Sequence, residues 1–412
     1  MAELDAACGG AAVYLSRTDV HSALASTALR ALAGAALPGG LAALPGHHPE
    51  QPLTRDAHHA VRAAALAHLS AGQREAAQRA ALRRAAELGI GSLHECAGPA
   101  ISSPEDLTAL LALAEQEQGP EVFGYWGELG AVDTARRLGA VGAGGDLFVD
   151  GAIGSHTACL HSPYADSGRG GAEYLTAEQV ADHVAACTEA GMQAGFHAIG
   201  DAALDAVVRG VRAVADRLGL AAVRALRHRV EHAELLDAAG IAAFAELGLT
   251  ASVQPAFDAA WGGAEGMYAT RLGAERARAM NPFAALLRAG VPLALGSDAP
   301  VTALDPWGTV RAAAFHRTPS TGSRSARPSP RTPGAAGGRW AGTTRAPGAG
   351  APASYAVWAP AELLVQAPDQ RVANWSTDPR SGVPGLPDLT PGGPLPQCLA
   401  TVVRGRTVHM AG

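Results

Sequence analysis

The chain has 412 residues, 48% of them hydrophobic and 17% charged, with a formal net charge of −6. That supplies enough apolar material for a large core and excludes whole-chain disorder, while the lack of a basic block argues against a surface that tracks a phosphate backbone. Five cysteines, at positions 8, 96, 159, 187 and 398, form no C-x-x-C, which argues against a disulfide framework and against a cysteine-based zinc knot.

No apolar run reaches the ~18 residues a membrane span requires, and Met1 opens no secretory signal. The expectation is a cytoplasmic protein with neither nucleic acid nor membrane as partner.

Taken in order, residues 1–50 are uneven and end in a Gly/Pro-rich stretch. From Arg55 to Leu88 the chain is Ala-rich with a single Gly and reads as helix, which Gly89 ends. Ile90 to His94 reads as a short strand. Ser103-Pro104-Glu105-Asp106 combines an N-cap, Pro at the first helical position and early acids, so a helix is expected to about Gln118. Strands are expected at Val122–Trp126 and Asp146–Asp150.

A helix then starts at Thr176, a strand ends at His197, and a helix starts at Asp201, whose carboxylate can cap free N–H groups. A strand ends at His232 and a helix runs from Glu234. Strands at Thr250–Val253 and before Asp298 complete seven. Strands alternating with helices imply βαβ units and a parallel sheet, one unit short of the eight that close a (β/α)8 barrel.

Three of these units place a metal-competent side chain at a strand's carboxyl end: His197 in F-H-A-I-G-D, His232 in R-V-E-H-A-E and Asp298 in G-S-D-A-P-V. On a (β/α)8 barrel that is the face where catalytic groups converge. Neutral imidazole suits zinc and similar metals, and a carboxylate completes a mixed N/O set. Such a metal brings the pKa of its bound water toward neutrality for attack on a carbonyl, and Asp298 is placed to move the proton. His94 reads as a core histidine, and His228 as a capping or solvent-facing one. No P-loop and no G-x-S-x-G nucleophile elbow occurs.

These blocks, with S-V-Q-P (252–255), L-F-V-D-G-A-I-G-S-H-T-A (147–158), G-S-L-H-E-C (91–96) and R-T-D-V-H-S-A-L (17–24), resemble the amidohydrolase superfamily. The match is to its branch that includes N-substituted formamide deformylases, and it runs over about residues 13–316 and 354–409. The resemblance implies a metal-dependent TIM-type barrel with a small β-sandwich. The enzyme it implies cuts non-peptide C–N bonds in small amide-like substrates, using zinc or another divalent metal as one or two ions. It maps the strand-five and strand-six histidines to His197 and His232, and the strand-eight aspartate to Asp298. Asp146 falls where many members carry a carboxylated Lys between two metals and is a substitute ligand, with Asp150 the alternative carboxylate. His156 and Gln254 are candidate substrate contacts.

The superfamily's first strand ends in His-x-His, which this chain lacks; His47-His48 and His58-His59 are adjacent pairs whose side chains would diverge on a strand. The first strand is therefore expected to be missing. That leaves an incomplete barrel over 1–316, open sheet edges that favour a homodimer, and a sandwich remnant over 354–412. The alternative is a catalytically inactive remnant that holds no metal stably. Between Arg317 and Ala353 there is no Leu, Ile, Val, Met or Phe, so this segment is expected to be disordered or the product of a shifted reading frame.

Overall fold

In the computed structural model the described residues are 1–317, 352–364, 367–369, 374–376 and 386–412. The segment 318–351, which carries most of the compositionally odd stretch, lies outside them.

A small antiparallel sheet comes first: β1 (Tyr14–Ser16), β2 (Ser22–Ala25) and β3 (Leu53–Thr54). It packs with helices Thr27–Ala35 and Arg55–Ala67 around Leu29, Leu41, Leu53 and Val61. The expected single helix over 55–88 is two. Helix Ala71–Glu87 starts afresh because Ser70 and Gln73 form a reciprocal capping box, which satisfies N–H groups that a continuous helix would have bonded itself.

Seven parallel strands follow: β4 (Ser92–Ala97), β5 (Glu121–Trp126), β6 (Gly142–Ala143), β7 (Gln193–Ala198), β8 (Arg229–His232), β9 (Thr250–Val253) and β10 (Leu293–Leu295). They lie side by side in chain order, with β4 and β10 at the two ends, and make a curled half-barrel. The alternation of the strands decides what each face meets. Val230, Ala251, Val253 and Phe196 join the apolar layer under helices Ala177–Glu189, Asp201–Leu218 and Ala238–Leu247. The cap read from sequence at Ser103 accepts the Asp106 N–H, and Thr176, the expected start of a helix, accepts that of Gln179.

Two other expectations are corrected. The run Asp146–Asp150 is no full strand: β6 is the earlier pair Gly142–Ala143, and Phe148 makes only an isolated parallel bridge with His197. Gly144 causes the shift. Its backbone presses on Gly195 so closely that a Cβ would lie 2.2 Å from the Gly195 carbonyl oxygen, and its φ is +142°. The second correction concerns the helix expected from Glu234. It begins at Ala238, where the Asp237 carboxylate accepts the Gly240 N–H at 2.7 Å, and Glu234 is left in the preceding turn.

Tyr355–Ala359, Gln397–Val403 and Arg406–Met410 form a three-stranded antiparallel sheet. It sits against helix Ala71–Glu87, where the Thr401 hydroxyl donates to the Ala86 carbonyl. Among the described residues no helix is long and apolar enough to cross a membrane.

Candidate metal centre

His197 lies one residue before the end of β7 and His232 ends β8, and their rings meet edge to face with centroids 4.4 Å apart. Asp146 approaches from the tight Gly144–Gly145 turn after β6, its Oδ1 3.6 Å from His197 Nδ1. Ligand atoms of Asp146, His197 and His232 all lie within 4.8 Å of one another, so one ion could be shared by two nitrogens and an oxygen. Asp298 is outside that close trio but lines the same cavity, of about 140 Å³, into which both histidines open.

The backbone is bent to aim these groups. His232 has φ +72°, Ala233 +50° and Asp298 +53°, a region that side chains other than Gly rarely adopt and that must be held by surrounding structure.

Hydrogen bonds fix the tautomers. Gln254 Nε2 donates to the Ser252 carbonyl, which turns its Oε1 to His232 Nδ1 at 2.8 Å; Nδ1 therefore carries the proton and Nε2 keeps its lone pair. His197 Nε2 lies 3.3 Å from the Gly151 carbonyl, which can only accept, so its free lone pair is on Nδ1 beside Asp146.

Electrostatics separate the two rings. Burial, helped by the nearby His197, takes His232 down to about 3 and keeps it neutral. Burial also opposes a charged His197, but the bond to Asp146 and the charges of Asp146 and Asp150 outweigh it and raise its pKa. Asp298 is raised well above the usual carboxylate range by burial and then by the charge of Asp146. Two carboxyl groups and two imidazoles thus come together at one site, where a divalent cation would relieve the repulsion between the acids. The donor set fits such an ion.

Other predicted residues are placed elsewhere. Gln254 holds His232 rather than lining the cavity. His156 pairs with Asp166 at 2.9 Å, stacks edge-on against Tyr164 and does not line the cavity. Asp150 is fully buried and accepts three backbone N–H groups, from Cys159, Ile199 and Gly200. Of the adjacent histidine pairs, His58 bonds the Tyr14 hydroxyl and His59 stacks on Phe148, and neither joins the ligand trio. His228 neither caps nor faces solvent. It is 1% exposed, and its Nδ1 accepts the Ala194 N–H. His94 is no core histidine: on the end strand β4 it is exposed, and it lies against the Arg229 guanidinium.

Sequence reasoning missed His21. It reaches the cavity from the N-terminal sheet, its ring 4.9 Å from that of His197. The block R-T-D-V-H-S that carries it also sends Asp19 to the Ser155 hydroxyl at 2.6 Å, which seats the N-terminal sheet on the loop after Asp150.

The profile of the Amidohydrolase family matches residues 1–409. The chain belongs to the amidohydrolase family. It is 36% identical over 168 residues to Protein LONG AFTER FAR-RED 3 of Arabidopsis thaliana, covering 40% of this chain and 28% of that protein. It is 30% identical over 177 residues to the YtcJ protein of Bacillus subtilis (strain 168), covering 42% and 31%. These alignments span less than a third of each relative. Among solved structures, an uncharacterized metal-dependent hydrolase from Pyrococcus furiosus superposes with a TM-score of 0.58 at 22% identity, covering 76% of this chain and 64% of that one. Its counterpart from Pyrococcus horikoshii OT3 gives 0.57 at 23% identity, over 74% and 60%. Both likenesses concern the fold.

Proposed function

We propose that this amidohydrolase is a metal-dependent hydrolase of non-peptide C–N bonds, with amides and N-substituted formamides as its substrate class. The observation that carries the reading is the convergence of Asp146, His197 and His232 within 4.8 Å at the ends of adjoining parallel strands, beside Asp298 in one cavity. His232 Nε2, His197 Nδ1 and Asp146 Oδ1 would hold a divalent ion, zinc being one that suits this N/O set. When bound, such an ion polarises a carbonyl and provides hydroxide near neutral pH.

The chain's own residues supply the rest. Asp298, whose carboxyl burial raises above the usual carboxylate range, faces the cavity where it could pass a proton to a leaving nitrogen. Gln254 keeps the His232 proton on Nδ1. Phe257 stacks on His232, with ring centroids 5.9 Å apart, and helps to exclude water.

Elemental analysis of the purified chain beside a His197→Ala, His232→Ala variant tests this. Near-stoichiometric metal in the parent and its loss in the variant are expected, with amine released from an amide panel by the parent alone. A parent chain that holds no metal would overturn the reading.

A further inference from the structure

Glu234 is a buried acid that the chemistry above does not use. The chain turns through left-handed backbone at His232 and Ala233, and the next helix starts only at Ala238, so Glu234 sits in the intervening turn. Its side chain lines the cavity although the residue is only 2% exposed. Oε2 has no hydrogen-bond partner. The Tyr268 hydroxyl faces both the Glu234 carboxyl and the Asn281 amide, and the Asn281 N–H ties that segment to the Glu234 carbonyl at 2.8 Å. Asn281 Nδ2 is likewise unmatched.

Buried acceptors are expensive to leave unpaired. Asp150, equally buried, instead receives three backbone N–H groups. A residue of the cavity wall thus carries an unmatched carboxyl oxygen, an acceptor that a ligand entering the cavity could satisfy. The aromatic rings between it and the histidines describe that visitor. Phe257 stacks on His232, Trp261 lies 4.8 Å from Phe257, and Tyr268 lies 6.3 Å from Trp261. A ligand that spans from the histidines to Glu234 therefore crosses an apolar, aromatic wall.

We propose that Glu234 accepts a hydrogen bond from the substrate's nitrogen, so that the site selects compounds with an N–H and an apolar N-substituent over isosteres that lack the N–H. This rests on the hydrolase reading for which bond breaks, but the binding preference can be measured without turnover. A site built to pair an N–H rejects an analogue lacking it far more strongly than it rejects a change of one methylene.

The test is calorimetric titration of the purified chain with N-benzylmethanesulfonamide and with its carbon isostere, methyl 2-phenylethyl sulfone, neither of which an amide hydrolase cleaves. The sulfonamide should bind at least about tenfold more tightly. Glu234→Leu should abolish the preference, and Glu234→Gln, which keeps a carbonyl acceptor, should retain most of it. Equal binding of the two compounds, binding of neither, or a preference that survives in Glu234→Leu would overturn the proposal. If Glu234→Leu fails to fold, the ratio in the parent chain decides. Sulfonamide preference without turnover of any amide leaves this inference standing and removes the hydrolase reading. Amide turnover without the preference does the reverse.

Discussion

At the scale of single residues, the proton on His232 Nδ1 is controlled two bonds away. Gln254 Oε1 faces that nitrogen only because Gln254 Nε2 is spent on the Ser252 carbonyl. Gln254→Leu would leave a buried Nδ1 with no acceptor and let the imidazole rotate or change tautomer. Loss of such a supporting partner typically weakens metal binding about 10- to 100-fold. A competition titration with a zinc-sensitive dye should report a weakening in that range, while the circular dichroism spectrum stays unchanged. Affinity equal to that of the parent would mean that His232 is held by packing alone. The S-V-Q-P block announced that Gln254 belonged near the site, but the strand-end position could not tell a substrate contact from a residue that orients a ligand.

Among elements, the loop after Phe148 is held to the carboxyl end of β7 by one side chain. Asp150 Oδ2 accepts the N–H groups of Cys159 and Gly200, each at 2.8 Å, and Oδ1 accepts that of Ile199 at 3.0 Å. Gly200 permits the approach, since a Cβ there would lie 1.9 Å from the Cys159 carbonyl oxygen. Burial nevertheless pushes the Asp150 carboxyl up to about 6, against the favourable charge of His197 and these three donors. Asp150→Ala removes three acceptors from buried N–H groups and should lower unfolding stability by about 3 kcal/mol or more, read from urea denaturation. A loss below ~1 kcal/mol would show that water can reach the loop and replace the carboxylate. The same loop presents Ile153 and Gly154 to the cavity, so its docking shapes the pocket as well as the fold.

For the molecule as a whole, the interior of the curled sheet is polar where closed barrels of this class are usually packed with branched apolar chains. Arg229 ion-pairs with Glu231, donates to Ser252 Oγ at 2.9 Å, meets His94 Nδ1 and lies over the Tyr125 ring. On the other side of the sheet His228 is held neutral, down to about 4 through burial, with the charge of His183 adding to it. Its Nδ1 must stay unprotonated to accept the Ala194 N–H, while Thr188 Oγ1 lies 3.1 Å from Nε2.

The sign of the linkage follows from these positions. An unfolded histidine titrates near 6.5, so between that pH and about 4 the unfolded chain binds more protons than the folded one. Stability should therefore rise with pH across that window and level off above it. From pH 7 to pH 5 the His228 share is a loss of about 2 kcal/mol, an order-of-magnitude figure. His228→Gln, which can still accept the Ala194 N–H, should flatten the urea midpoint against pH by roughly that share. An unchanged slope would exclude His228 as a contributor.

The sequence by itself determined which side chains could bind metal and the order in which strands present them. Strand-end His197 and His232 follow apolar runs and precede helices, a pattern set by local burial and capping. It also determined the parallel arrangement, because βαβ alternation leaves few other ways to cover both faces of a sheet. Tertiary structure decided what depends on distant approach. Asp146 becomes a neighbour of His197 only through the Gly144–Gly195 contact. His21 arrives from a separate sheet. His156 turns aside to Asp166, and Glu234 stays out of a helix because Asp237 is the better cap. The placements of Asp146 and His21 are made by contacts between segments far apart in the chain, where neither spacing nor propensity carries information, whereas the Asp237 cap is local.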